Sequence, residues 1–248
     1  MSSRKKVMSL FNLKKDKLPA GVTLERSDAG LVVHLARSIS ADFLLDDAEG
    51  LKNYRFILEE GARTEVLAFA CGDTQTLAAV EADMLGKDSY FSFKGLSVLD
   101  DTQNQRLKVT ARHKAPHTTS RQLFKSVLSE TAFSDFETAV SVERGAPRAD
   151  SNQLCRNLLL SEGARAVSRP LLNIDNDDVS CTHGATTGPM EESELFYLRS
   201  RGLTESAAKE LLVYGFAEEI LEAVQDAEVR SRLESLVRAK LQKALKKR

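Results

Sequence analysis

The chain has 248 residues, 42% of them hydrophobic and 29% charged. This is ordinary globular usage, at a length that suits one large domain or two modest ones. No apolar run approaches the roughly 20 residues that a membrane-spanning helix needs, which argues against a bilayer-embedded protein. The formal charge of -1 hides an asymmetry: residues 1–17 carry a net +5 and residues 228–248 a net +6, leaving -12 for the body between them. An acidic body crossed by no basic stripe argues against a nucleic-acid-binding core.

Residues 1–19 read as a basic N-terminal tail. Arg4-Lys5-Lys6 is not followed by a secretory apolar stretch, since Ser9 and Asn12 break Val7 to Leu13. Three scattered cysteines, Cys71, Cys155 and Cys181, are too few for a disulfide framework. A reducing cytoplasm is the expected compartment. From 20 to 188 the pattern is one of short strands separated by polar turns, with period-two alternation over Arg106 to Thr110, parts of Phe133 to Val142, and Val179 to His183. Thr76 to Met84 suits either a helix or a strand.

A partial repeat runs through this region. Leu58-Glu59-Glu60-Gly61-Ala62-Arg63 recurs as Leu160-Ser161-Glu162-Gly163-Ala164-Arg165, with a degenerate copy at Val142-Glu143-Arg144-Gly145-Ala146. Gly145, Gly163 and Gly184 follow one another at similar intervals. A spacing near 20 with strand-like content suits the coils of a β-solenoid, and an ordinary β-sandwich with Gly-Ala turns is the alternative.

Past Gly188-Pro189 the texture turns helical, and residues 189–248 read as a C-terminal helical domain. Leu195, Phe196 and Leu198 precede a stop at Gly202. Thr204 suits the N-cap of a second helix carrying Leu211, Leu212, Phe216, Ile220, Leu221 and Val224. A third helix places Val229, Leu233, Leu236, Val237, Leu241 and Leu245 on one stripe and ends in Lys246-Lys247-Arg248.

Cys181-Thr182-His183 is the best chemical candidate. In a strand, residues two apart share a face at about 6.6 Å, so thiol and imidazole point the same way. Both can bind iron in sulfur-rich sites, although two ligands do not make a site and a buried structural pair is the plain alternative. His113 and His117 have the spacing of helical metal ligands, but Pro116 opposes a helix and favours a turn between strands. Asp175-Asn176-Asp177-Asp178 opens like a calcium loop and fails where Val179 and Ser180 replace a ligand and the required Gly. No P-loop is present: near Gly86-Lys87 the first Gly is Glu81 and the hydroxyl residue is Asp88. Any ATP used must be bound by a partner. The chain also has no G-x-S-x-G elbow and no zinc-type C-x-x-C pair.

Several ordered motifs together resemble the SufB/SufD family of the SUF iron–sulfur cluster assembly machinery, on its SufD side. They are Asn157 through Arg165, Asp177-Asp178-Val179, Cys181-Thr182-His183-Gly184-Ala185-Thr186, and Leu195-Phe196-Tyr197-Leu198-Arg199-Ser200-Arg201-Gly202. Upstream, His113-Lys114-Ala115-Pro116-His117 is similar to the family's H-x-A-P-H segment. The resemblance implies a mainly β fold, a right-handed parallel β-helix, followed by a small α-helical domain. It implies a non-enzymatic scaffold subunit that works with a SufC-like ABC ATPase and a SufB-like paralogue, or pairs with itself. It implies a transient iron–sulfur cluster shared with the partner and not bound stably by this chain alone. His183 is then the cluster-ligand candidate and Cys181 a secondary one. Leu195, Phe196, Tyr197, Arg199, Arg201 and Phe216 become candidates for ATPase docking. Against typical members the chain is short, lacking most of the N-terminal region, and the usual Asp near the first C-terminal helix is replaced around Met190-Glu191. Two other readings remain: a β-helix enzyme acting on polysaccharides, and a purely structural subunit without cluster ligands.

Overall fold

The computed structural model describes residues 10–12, 17–27, 30–46, 53–71 and 76–246. Most of the basic tail expected over 1–19, together with Lys247-Arg248, lies outside the described residues, as does the Leu245 side chain. The strands in chain order are β1 (Leu10–Asn12), β2 (Val22–Ser27), β3 (Gly30–Leu35), β4 (Asp42–Asp46), β5 (Asn53–Leu58), β6 (Arg63–Ala70) and β7 (Thr76–Met84). There follow β8 (Tyr90–Leu99), β9 (Asn104–His113), β10 (Thr119–Leu128), β11 (Phe133–Val142), β12 (Ala149–Leu159), β13 (Arg165–Ile174) and β14 (Val179–Pro189). Three helices close the described chain: α1 (Glu192–Ser200), α2 (Glu205–Leu221) and α3 (Ala227–Lys246).

Strands alternate between two seven-stranded sheets, β1-β4-β6-β8-β10-β12-β14 and β13-β11-β9-β7-β5-β3-β2. Among the described strands only β2–β3 pairs antiparallel. From β5 onward each strand hydrogen-bonds to the strand two before it, and the chain winds as a parallel β-solenoid of about five two-stranded turns, from β5–β6 to β13–β14. The solenoid expected from sequence is the fold that forms. Its period is a correction. Tyr90, Thr119 and Asp150 are register partners in successive coils, so the repeat is about 30 residues long, well beyond the spacing read from the glycines. The Gly-Ala spacing had joined unlike places: Gly145 lies in the β11–β12 turn, Gly163 in the β12–β13 turn on the opposite edge, and Gly184 inside β14. The step from Gly145 to Gly163 thus measures a half-coil. Thr76 to Met84 resolves as strand β7.

The true repeat lies in the turns along one edge. Ser38, Gly61, Asp88, His117 and Arg148 all take positive φ, between 57° and 67°. Each donates its backbone N–H to the next coil's turn: Ser38 to Glu60 O, Gly61 to Lys87 O, Asp88 to Pro116 O, His117 to Pro147 O and Arg148 to Asp178 O. One left-handed residue in each turn of this edge lets the chain turn sharply while this ladder continues. Only Gly61 occupies such a place without a Cβ penalty, which is why sequence similarity among the turns is faint.

Alternation along each strand sends one set of side chains inward. Early coils are filled by Phe43, Phe56, Phe91 and Phe93, all fully buried. Phe124 and Phe136 stack at 4.2 Å between centroids further along. In the last coils the interior turns polar, with Ser120, Gln122, Ser126, Thr138, Ser151, Gln153 and Asn157 buried. The outer face of the β8–β10 sheet region is covered by α2 and α3: Leu67, Phe69, Leu96, Val98 and Val127 share one apolar cluster with Val213, Ala217, Ile220, Leu233, Val237 and Leu241. Each of the larger of these side chains, the Leu, Ile, Val and Phe, contributes about 1.5–3 kcal/mol on burial. Ion pairs at the same interface fasten the helices. Lys125, 3% exposed, pairs with Glu219 and donates to Phe216 O at 2.8 Å. Lys240 and Lys243 reach the fully buried Asp100 at 2.8 and 3.1 Å. The helical stripes differ in part from the sequence expectation, because Leu211 and Leu236 are about half exposed while Ala208, Val213, Ala217 and Ala244 are buried. Short side chains allow the helices to approach the sheet.

Candidate site at the open end of the solenoid

Among the described residues no further coil stacks on the last one. In β13 and β14 the burial pattern contains no buried residue, although the same inward positions one coil earlier are closed. There β14 pairs only with β12, and β13 only with β11, leaving each a free backbone edge. On β14 the inward positions carry Cys181 and, two residues on, His183, placed in register over Ser151 and Gln153 of β12. Cys181 is half-buried and packs against the core; His183 is exposed. The shared face inferred from sequence follows from the strand, and both groups look out of the open end. Burial pushes the Cys181 thiol above its ordinary range, and nearby Asp150 adds to that, partly opposed by a backbone hydrogen bond at Ser151. Metal binding there would have to displace a proton. Among the described residues no group of three or more His, Cys, Asp or Glu converges as a metal cage.

Beneath Cys181 runs a chain of hydroxyls ending at a histidine. Thr118 Oγ1 donates to Ala115 O at 3.1 Å, so it accepts from His113 Nδ1 at 2.7 Å. His113 Nε2 then accepts from Ser120 Oγ at 2.9 Å, and Ser120 accepts from Ser151 Oγ at 2.8 Å. His113 is wholly buried, and burial lowers its pKa to about 4, so the ring is neutral at pH 7. This explains the H-x-A-P-H segment without a metal. Its first histidine closes the β9–β10 turn from inside, while its last, His117, holds the left-handed turn position.

Asn157 ties the last coil down. Its side chain accepts from Ser126 Oγ at 2.6 Å and donates to Ser168 Oγ on β13 and Thr187 Oγ1 on β14, each at 2.9 Å. Cys155 is buried beside Ser168 and is likewise held protonated by desolvation. Cys155 and Cys181 are free thiols. The acidic run Asp175 to Asp178 is the β13–β14 turn, with Asn176 Oδ1 accepting from Asp178 N.

The six docking candidates fall on two surfaces. On α1, Phe196 is 73% and Tyr197 55% exposed, Arg201 stacks over Tyr197 at 5.3 Å, and Arg199 is exposed 3.8 Å from Glu205. Leu195 on the same helix is half-buried. Phe216 instead lies on α2 with its ring 4.6 Å from Lys125 Nζ, and it lines a groove of about 320 Å³ with Leu212, Met190, Glu194 and Arg156. Gly202 (φ 96°) and the Thr204 cap, which accepts from Ala207 N, set the α1–α2 elbow as expected. Sequence reasoning passed over Gln153, Ser151 and Ser120, because a buried Gln or Ser in a strand has no pattern of its own. The only available cue was the alternation of polar residues where a core face should be apolar.

A parallel β-solenoid with an open, thiol- and imidazole-bearing end and helices clamped to one face is the class of protein described. A family model, "SUF system FeS cluster assembly, SufBD core domain", matches residues 38–216, and the chain belongs to this family. It is 36% identical over 140 residues to the iron–sulfur cluster assembly protein SufD of Plasmodium falciparum, covering 56% of this chain and 10% of that protein. It is 39% identical over 145 residues to a SufBD family iron–sulfur cluster assembly protein of Synechocystis, covering 58% and 32%. With SufD of Escherichia coli it shares 29% identity over 170 residues, covering 68% and 40%. The chain thus spans between a tenth and two fifths of the length of these relatives. No helix among the described residues is long and apolar enough to cross a membrane.

Proposed function

We propose that this chain is a cytoplasmic, non-enzymatic scaffold subunit on which an iron–sulfur cluster is assembled, with a SufC-type ABC ATPase and a SufB-type partner. The observation that carries the reading is the uncapped final coil, where β14 presents His183 and Cys181 beside a free strand edge. Two candidate ligands cannot hold a cluster, so the remaining ligands come from the subunit that covers this end. The cluster is then cargo shared across the joint, not a resident group. His183 donates a ring nitrogen to iron; Cys181 contributes once its thiol has lost its proton.

The exposed Phe196-Tyr197 pair and its arginines supply an aromatic, basic docking surface for the ATPase. Movement imposed there passes into the solenoid, because α2 and α3 are fixed to it by the Lys125 and Asp100 ion pairs. The open end shifts against its partner and admits iron and sulfide. Anaerobic reconstitution of the three-subunit complex tests this. His183→Ala should cut the iron and sulfide retained per complex at least several-fold, with complex formation intact. Full retention in that variant would leave a purely structural subunit as the correct description.

A further inference from the structure

The interior of the last two coils holds a second feature that points at His183. Gln153 is fully buried on β12, inward-facing, and is the register partner of His183 in the next coil. Its amide reaches across the coil to Thr138 of β11. Thr138 Oγ1 donates to Gln122 Oε1, so the same oxygen must accept, and it accepts from Gln153 Nε2 at 2.9 Å. With its nitrogen committed to Thr138, Gln153 keeps its Oε1 buried and without a partner among the described residues. A buried carbonyl oxygen lacking a donor is costly, and the large majority of buried polar side-chain atoms in folded proteins have a hydrogen-bond partner. Adjacent strands lie about 4.8 Å apart, which puts the inward side chain of the following coil within reach. That side chain is His183, an imidazole carrying one N–H to give.

We propose that Gln153 is the positioning residue for His183: its Oε1 accepts the ring N–H, fixing one tautomer and leaving the other nitrogen's lone pair to face the open end. The inference rests on the reading of His183 as a ligand for iron and deepens it. Metal-bound histidines are generally oriented through their second nitrogen by a carbonyl or carboxylate behind them. Here a directional chain, Gln153 to Thr138 to Gln122, sets the polarity of that support from within the solenoid. Gln153 touches no iron; it acts through the ring.

The test begins on the purified, metal-free chain with ¹⁵N-histidine labelling, the His183 signals being assigned by their loss in His183→Ala. Wild type should show one neutral tautomer for His183, with the nitrogen shifts of a fixed N–H donor. Gln153→Met removes the acceptor, and Thr138→Val, a near-isostere, releases the amide to rotate. Each should give averaged tautomer shifts at His183 while His113, in its own hydrogen-bonded pocket, keeps its pattern. Retention of the His113 pattern reports that the solenoid is folded. In the reconstituted complex both variants should weaken iron retention by about 10- to 100-fold. An unchanged, single His183 tautomer in both variants overturns the positioning role. If instead His183→Ala retains all its iron, the ligand reading fails while the tautomer measurement still decides the Gln153–His183 bond.

Discussion

Two titratable residues pull the stability of the chain in opposite directions with pH. Burial holds His113 near pKa 4, below its ordinary 6.5, so between those values the unfolded chain binds a proton that the folded chain refuses. Its contribution is fully present above pH 6.5 and lost as pH falls toward 4, up to about 3 kcal/mol. Burial raises Asp42 to about 6 from 3.8, against a hydrogen bond from Glu65 N. Its folded form keeps a proton that the unfolded form releases, so its contribution is present below pH 3.8 and lost as pH rises through 6. The two slopes offset each other from pH 4 to 6. Asp42→Asn should therefore steepen the rise of stability with pH across that window, followed by urea unfolding. A variant with the wild-type slope would show that Asp42 does not titrate as described. Neither residue's role was legible in the chain's one-dimensional pattern, because burial comes from the neighbouring coil, remote along the chain.

At the scale of elements, the turns decide how closely coils stack. Gly86, in the β7–β8 turn, lies so close to the preceding turn that a Cβ would meet Glu60 N at 1.8 Å and the Glu59 carbonyl carbon at 2.2 Å. Backbone cannot yield as a side-chain tip does, so Gly86→Ala should cost about 2–4 kcal/mol in chemical denaturation. Gly145, which stood out in the Gly-Ala pattern, has nothing within 4 Å of such a Cβ. Gly145→Ala should change stability by no more than about 0.5 kcal/mol. Equal losses in the two variants would refute the stacked-turn account. Strand existence was legible from alternation: Phe133 to Val142 forms β11, and Val179 to His183 opens β14. Strand pairing was not. Turns on both edges of the solenoid join strands of opposite sheets while pairing skips one strand, and no short-range pattern records that skip. The helices were legible in their caps, at Gly202 and Thr204, and less so in their buried stripes, since a sheet with bulky outer residues selects Ala and Val for the contact.

For the whole molecule, the union of solenoid and helices rests on apolar burial reinforced by buried charge. Lys240, 8% exposed, faces Asp100, which is fully buried. Removing the cation alone leaves a buried carboxylate with only Lys243, so Lys240→Met should lower stability by about 3 kcal/mol. The double variant Lys240→Met with Asp100→Asn should recover most of that loss, because no uncompensated charge remains. A double variant as unstable as the single one would mean that shape, not charge, governs this contact. By itself, the sequence determined the local periods, the caps, the missing nucleotide loop and the motifs that mark the SufBD family, because each is written in residues close along the chain. Only the tertiary structure decided the true length of the coil, the neutral His113, the clamp at Asn157 and the unpartnered Gln153 oxygen under His183. Those depend on which residues come to lie one coil apart, and stacking in a parallel solenoid joins positions that no short-range pattern links.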